Sequence, residues 1–171
     1  MVGTFPRIVV LGIVPVFMVS FLLLKTPFMT QFVQSVSVRW VLVLCALRVP
    51  IEMGLIALAR QNAYAAPLSG MGLSSEIVVG MLCMGWLVIY RQTDVPVSAR
   101  SFYFLNRLGQ VSVVWIYVVA ILGPHFGSIP IGADDAQWIT QFPFTWLFTL
   151  YYPMMWLFHG MLLKRAASTT A

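Results

Sequence analysis

The sequence predicts an all-α, polytopic membrane protein of about five transmembrane helices, with its amino terminus outside and its carboxyl terminus in the cytoplasm. Three observations carry that expectation. Hydrophobic residues make up 60% of the chain and charged residues only 9%, far from the roughly 25% charge of a soluble domain. The apolar residues gather into runs close to the length that crosses a bilayer. Basic residues flank those runs unevenly, which is a topology signal. The net charge of +5 therefore speaks of membrane orientation. The basic stripes with interleaved aromatics that a nucleic-acid reader needs are absent, so nucleic acid is not an expected partner.

The whole chain, 1–171, reads as a single integral membrane domain. The first span covers about 8–24, between Arg7 and Lys25. Lys25-Thr26-Pro27 follows it, not a small-residue cleavage site, so it reads as a retained helix. Pro15 predicts a kink there. Thr26 and Pro27 resemble an N-cap and a first helical proline. The mixed stretch from Phe28 to Arg39 is expected to form a short interfacial helix, since a helix from Pro27 to Ala59 would be about 50 Å long. A single long, tilted helix is the alternative. The second span covers about 40–59.

Ser74 and Ser75 before Glu76 read as a helix start, with the acid at the positive end of the dipole. The third span is placed at about 73–90. Its Gly80 and Gly85 miss the four-residue GxxxG spacing. Phe102, Tyr103 and Phe104 form an interfacial aromatic cluster before the fourth span, about 104–122. Asn106, Gln110 and Ser112 make the first turns of that span polar, and Arg107 can snorkel. The connection from Gly123 to Gln141 carries His125, Asp134 and Asp135 but no basic residue. The fifth span, about 142–163, is interrupted by Pro153 and stops at Lys164-Arg165. Lys25, Arg39, Arg91, Arg100, Arg107, Lys164 and Arg165 then share one side against Arg7 and Arg60 on the other. That asymmetry sets the expected orientation.

Within the second span, Arg48 and Glu52 flank Pro50. A charged side chain at the bilayer centre costs at least about 2.5–3.5 kcal/mol. Residues four apart share a helix face, so the two are expected to form an intramembrane polar pair. Tyr151, Tyr152, His159 and Asn106 are the candidate polar partners. Such a pair is either a substrate, ion or proton site, or a structural contact between helices.

Other chemistry finds little support. His125 and His159 fall toward opposite membrane faces, roughly 20 Å or more apart, too far to share one haem iron. Ser69 or Ser112 with His125 lacks a nucleophile elbow. Cys45 and Cys83 lie inside apolar spans without zinc-type spacing and read as inert thiols. No catalytic residue, cofactor or metal is expected.

Arg48-x-Pro-x-Glu52, Asn106 to Gly109, Phe142-Pro143, Pro153 and His159 together resemble a family of small, uncharacterised bacterial multi-pass inner-membrane proteins. The chain departs from that family at Pro67 to Gly72, which lacks its acidic and Asn-containing stretch. The resemblance implies a multi-pass architecture in a bacterial inner membrane and no particular chemistry. The expected function is an accessory or interaction subunit without catalysis of its own, in contact with membrane lipids and other membrane subunits. The alternative is a small carrier or proton-linked channel with a midplane site at Arg48 and Glu52.

Overall fold

In the computed structural model of the chain, the described residues are 13–61, 68–69, 74–92, 100–122 and 144–168. Among them every regular element is helical. These are α1 Val14–Lys25, α2 Pro27–Ser35, α3 Val38–Ala46, α4 Arg48–Arg60, α5 Glu76–Gln92, α6 Arg100–Leu122 and α7 Phe144–Trp146. A π-helical turn, Leu147–Tyr151, then leads into α8, Tyr152–Ser168. The start of the expected first span, most of the loop after Arg60, His125, Asp134, Asp135, Phe142 and Pro143 lie outside the described residues.

Two helices are long and apolar enough to cross a membrane: Val38–Arg60, which combines α3 and α4, and Arg100–Ala120 in α6. The pair α1 and α2 would make a third, although it is bent by 79°. α5 is apolar but shorter.

Proline chemistry explains where the backbone breaks. Thr26 is extended (φ −73°, ψ 148°) and serves both neighbours. Its hydroxyl donates to the Leu23 carbonyl at 2.7 Å and accepts from the Met29 amide at 3.2 Å, while Pro27 opens α2. The segment after Thr26 is thus a discrete helix that ends at Val36, not one continuous helix running to Ala59. Pro15 follows the π-helical Ile13 and stands in the first turn of α1, where proline is tolerated; the expected kink depends on residues before Ile13, which lie outside the described ones. Pro50 acts upstream of itself. It has no N–H for the Ala46 carbonyl and its ring crowds that carbonyl. The ladder accordingly slips at Leu47, whose amide is shared between the carbonyls of Val43 and Leu44 at 3.2 Å each. Pro153 behaves alike: the π-turn widens the helix just before it, which relieves the same clash.

The bundle has two apolar clusters. One gathers Leu55, Val113, Ile116, Tyr117, Phe148 and Met155. There the Tyr117 hydroxyl donates to the Phe148 carbonyl, which the π-turn frees from regular pairing. The other gathers Val41, Cys45, Cys83, Leu105, Met161 and Leu162. On α3/α4, α6 and α8, the buried polar residues lie between these clusters in sequence: Arg48 and Glu52, Asn106 and Ser112, and His159. A polar layer therefore divides the core.

α8 locks the bent corner. Arg165 Nη1 donates to the carbonyls of Val33 at 3.0 Å and Gln34 at 3.2 Å, and also to Val36, near the end of α2. Lys164 donates to the carbonyls of Leu24 and Thr26 at the end of α1. Cations on the orphaned carbonyls of a helix C-terminus offset its dipole and complete its hydrogen bonding.

Gly80 is where α5 meets α4. A Cβ there would stand 2.8 Å from Val49 Cγ2 and 3.0 Å from Arg48 Cβ, whereas a Cβ at Gly85 would meet nothing within 4 Å. Tight packing therefore depends on one glycine, not on a spaced pair. Gly80→Ala should destabilise the bundle by about 1–3 kcal/mol through overpacking. Gly85→Ala should be neutral or stabilising by up to about 1 kcal/mol. Unfolding of both variants in detergent, followed by circular dichroism, separates the two; equal midpoints would refute this account of the contact.

Candidate functional site: a buried charged layer

Arg48 forms its ion pair with Glu76, Nη1 to Oε2 at 2.9 Å, with the two side chains 0% and 1% exposed. Arg48 thus reaches across to another helix for this ion pair, whereas the sequence singled out Glu52, four residues along its own helix. Arg preceding Glu is the less favourable order for an i, i+4 pair. Glu76, by contrast, is the first residue of α5, where an amino-terminal dipole already favours a carboxylate. Gly80 lets α5 approach closely enough for the two charges to meet.

Serines complete the layer. Ser112 Oγ on α6 donates to Glu76 Oε1. Because that hydroxyl has spent its proton, its 2.9 Å contact with Ser75 Oγ makes Ser75 the donor. The proton order is therefore Ser75 to Ser112 to Glu76. Glu52 is fully buried as well and accepts from Ser74 Oγ at 2.9 Å. Ser74 in turn receives the Glu76 amide at 3.4 Å. Arg48 is served less completely. Beyond its ion pair, none of its guanidinium nitrogens makes a hydrogen bond. A buried arginine with most of its donors idle is an expensive arrangement.

The candidate partners divide in two groups. Asn106 and His159 are both fully buried and meet each other, Oδ1 to Nδ1 at 2.9 Å. Asn106 Nδ2 donates to the Phe102 carbonyl at 2.8 Å, which fixes the amide so that its oxygen faces the imidazole. Nδ1 must then carry the proton, and Nε2 keeps a lone pair. A Cβ on Gly109 would fall against Nε2, Cε1 and Cδ2 at once, so the ring lies face-on against that glycine. Tyr151 and Tyr152 belong to the aromatic packing between the π-turn and α6. Their rings lie 5.3 Å apart, and Tyr152 sits edge-on to Tyr117 and Phe148. Tyr151 is within electrostatic reach of Arg48, Glu76 and Glu52.

A groove of about 420 Å³ opens between α4 and the segment from Phe144 to Met154. Pro50, Ile51, Leu55, Leu147 and Tyr151 are among its walls, and none of Arg48, Glu52 and Glu76 lines it. The charged layer is thus enclosed, and the cavity beside it is apolar. Comparison with protein-family models, curated proteins and solved structures gave no match.

The sequence singles out Arg48 and Glu52 as buried charges but not Glu76, because an acid at a helix start has an ordinary explanation. It also passes over Cys45 and Cys83. Depth would have found them. Cys45 is six residues past Arg39, Cys83 eight before Arg91, Asn106 six past Arg100 and His159 five before Lys164. Counted from their basic ends, all four stand at similar depth.

A double-mutant cycle tests the pair. Arg48→Met or Glu76→Leu alone strands a buried charge and should cost about 3–5 kcal/mol, whereas the double replacement should be far milder. Denaturation of the three variants in detergent measures the coupling. Additive losses would show that Arg48 and Glu76 do not depend on each other.

Proposed function

We propose that the protein is an accessory or interaction subunit of a bacterial inner-membrane complex, without catalytic chemistry of its own, and that its charged layer is a structural clamp. The observation that supports this reading most is enclosure: Arg48 and Glu76 are 0% and 1% exposed. A carrier needs its charged site open to a substrate at some stage, and the groove nearest the layer has apolar walls. The outer surface supports a partner. On α5, Val78, Met81, Leu82, Val88 and Ile89 are exposed around Gly85, where added atoms would meet open space. Close approach of a second helix in a bilayer favours such a small residue ringed by apolar side chains.

Five crossings, with the carboxyl terminus in the cytoplasm, belong to the same proposal. The ends of α1 and α2 touch Lys164 and Arg165, and Trp86 meets Phe102 edge-on. These contacts put Lys25, Arg100, Lys164 and Arg165 toward one end of the bundle, which favours the positive-inside assignment. Reporter fusions after Thr26, Gln92 and Ala171 should read cytoplasm, and fusions after Asn62 and Ala133 should read periplasm. A periplasmic signal after Ala171 would remove one of the five spans.

Mild-detergent purification at native expression, followed by mass spectrometry, should recover at least one further membrane chain. A clean monomer would sink the subunit reading. The carrier reading retains one observation in its favour, the ordered relay Ser75 to Ser112 to Glu76. It predicts that the Arg48→Met/Glu76→Leu double variant folds but no longer restores growth to a strain lacking the protein. The clamp reading predicts that the folded double variant restores it.

A further inference from the structure

Three side chains from three helices converge where the polar layer meets the second apolar cluster. Cys45 on α3, Cys83 on α5 and His159 on α8 are each fully buried. One ligand atom from each lies within 4.8 Å of the other two. The two thiols interact electrostatically with each other. We propose that Cys45, Cys83 and His159 form a binding site for a thiophilic d¹⁰ metal ion, with zinc(II) as its occupant.

The donor set fits that chemistry. Thiolate and imidazole together select zinc or copper(I) over hard cations. Ligand atoms on a tetrahedral zinc ion stand about 3.5–3.8 Å apart, given metal–sulfur and metal–nitrogen bonds of about 2.3 and 2.0 Å. Metal binding would draw the three ligand atoms together from their present spacing of up to 4.8 Å. His159 is already prepared as a ligand. Its Nδ1–H is held by Asn106 Oδ1 at 2.9 Å, and its Nε2 is buried without a hydrogen-bond partner. An imidazole whose far N–H is held by a neighbour is the usual state of a metal-bound histidine, because that contact fixes the tautomer and ring orientation. Gly109 clears the face of the ring, so the in-plane lone pair stays available.

Charge balance favours the divalent ion. Binding displaces one proton from each thiol, and the resulting two thiolates, neutral imidazole and zinc(II) sum to zero. Copper(I) would leave one negative charge in a low-dielectric interior, where an uncompensated charge is costly. The site also gives a use to donors that are otherwise idle. Arg48 interacts electrostatically with Cys45, Cys83 and His159. Beyond the Nη1 ion pair with Glu76, its guanidinium nitrogens make no hydrogen bond, and thiolates would supply acceptors. Arg48 is then a positioning residue for the sulfurs and the clamp of Glu76 at once.

The test uses the full chain in mild detergent, with metal content measured by mass spectrometry after purification without added metal. Close to one zinc per chain is expected, falling by at least about tenfold in Cys45→Ser and in Cys83→Ser. Asn106→Leu should weaken binding by about tenfold while leaving both sulfurs in place. Where a variant fails to fold, cobalt(II) titration of the chelator-stripped wild-type protein decides. A thiolate-to-cobalt charge-transfer band that zinc abolishes supports the site. Copper in place of zinc, lost in the same variants, supports the site and overturns the assignment of zinc. A folded wild-type protein with neither bound metal nor a cobalt band overturns the proposal. So does an intact mass that shows a Cys45–Cys83 disulfide.

Discussion

The Arg48–Glu76 ion pair is the constraint that the rest of the bundle accommodates. Taking two charges out of water costs several kcal/mol each, and their attraction offsets this only with close geometry and further hydrogen bonds. Each nearby feature supplies a part of that geometry. Gly80 brings α4 and α5 together. The start of α5 puts a positive dipole end under the carboxylate. Ser112 adds a donor from α6. A hydrophobic bundle without the pair would have one continuous core. With it, the apolar side chains separate into a cluster toward Arg60 and a cluster toward the basic ends.

What could be read from the sequence follows from how local each interaction is. The all-helical class and the two strongest spans were legible because apolar runs of bilayer length declare themselves. The N-cap at Thr26 was legible too, since threonine before proline needs no tertiary information. The break at Leu47 was not. Its cause, Pro50, is in plain view, but the backbone yields at the carbonyl that loses its partner, several residues upstream. The third and fifth expected spans are shorter or more interrupted than their composition suggested. Gly80, Pro153 and the π-turn divide their apolar residues between packing and backbone repair.

The charged layer was half legible. Composition makes Arg48 and Glu52 conspicuous, because a buried arginine in an apolar run has no bland explanation. It could not assign their partners, which come from residues 22 to 28 positions further along the chain (Ser74 to Glu52, Glu76 to Arg48). Cys45 and Cys83 stayed hidden for the opposite reason, and His159 was singled out only as a polar partner. A small apolar thiol in an apolar helix is ordinary, and only the shared depth of three helices makes it a ligand set.

The interruptions of the backbone coincide with the polar layer rather than being scattered over the bundle. Leu47 lies beside Arg48, α5 begins at Glu76, and the π-turn ends at Tyr151, within electrostatic reach of both charges. An apolar helix satisfies its own backbone, so breaking it inside a bilayer is tolerated only where other polar groups or protein surround the freed amides and carbonyls. Burying charge and breaking helices are each costly alone. Here the breaks and the ion pair share one level of the bundle. The same reasoning accounts for the basic end of the bundle, where Lys164 and Arg165 carry positive charge onto the carbonyls that end α1 and α2. In both places a charge stands where regular helix stops: Arg48 and Glu76 at one, Lys164 and Arg165 against the other.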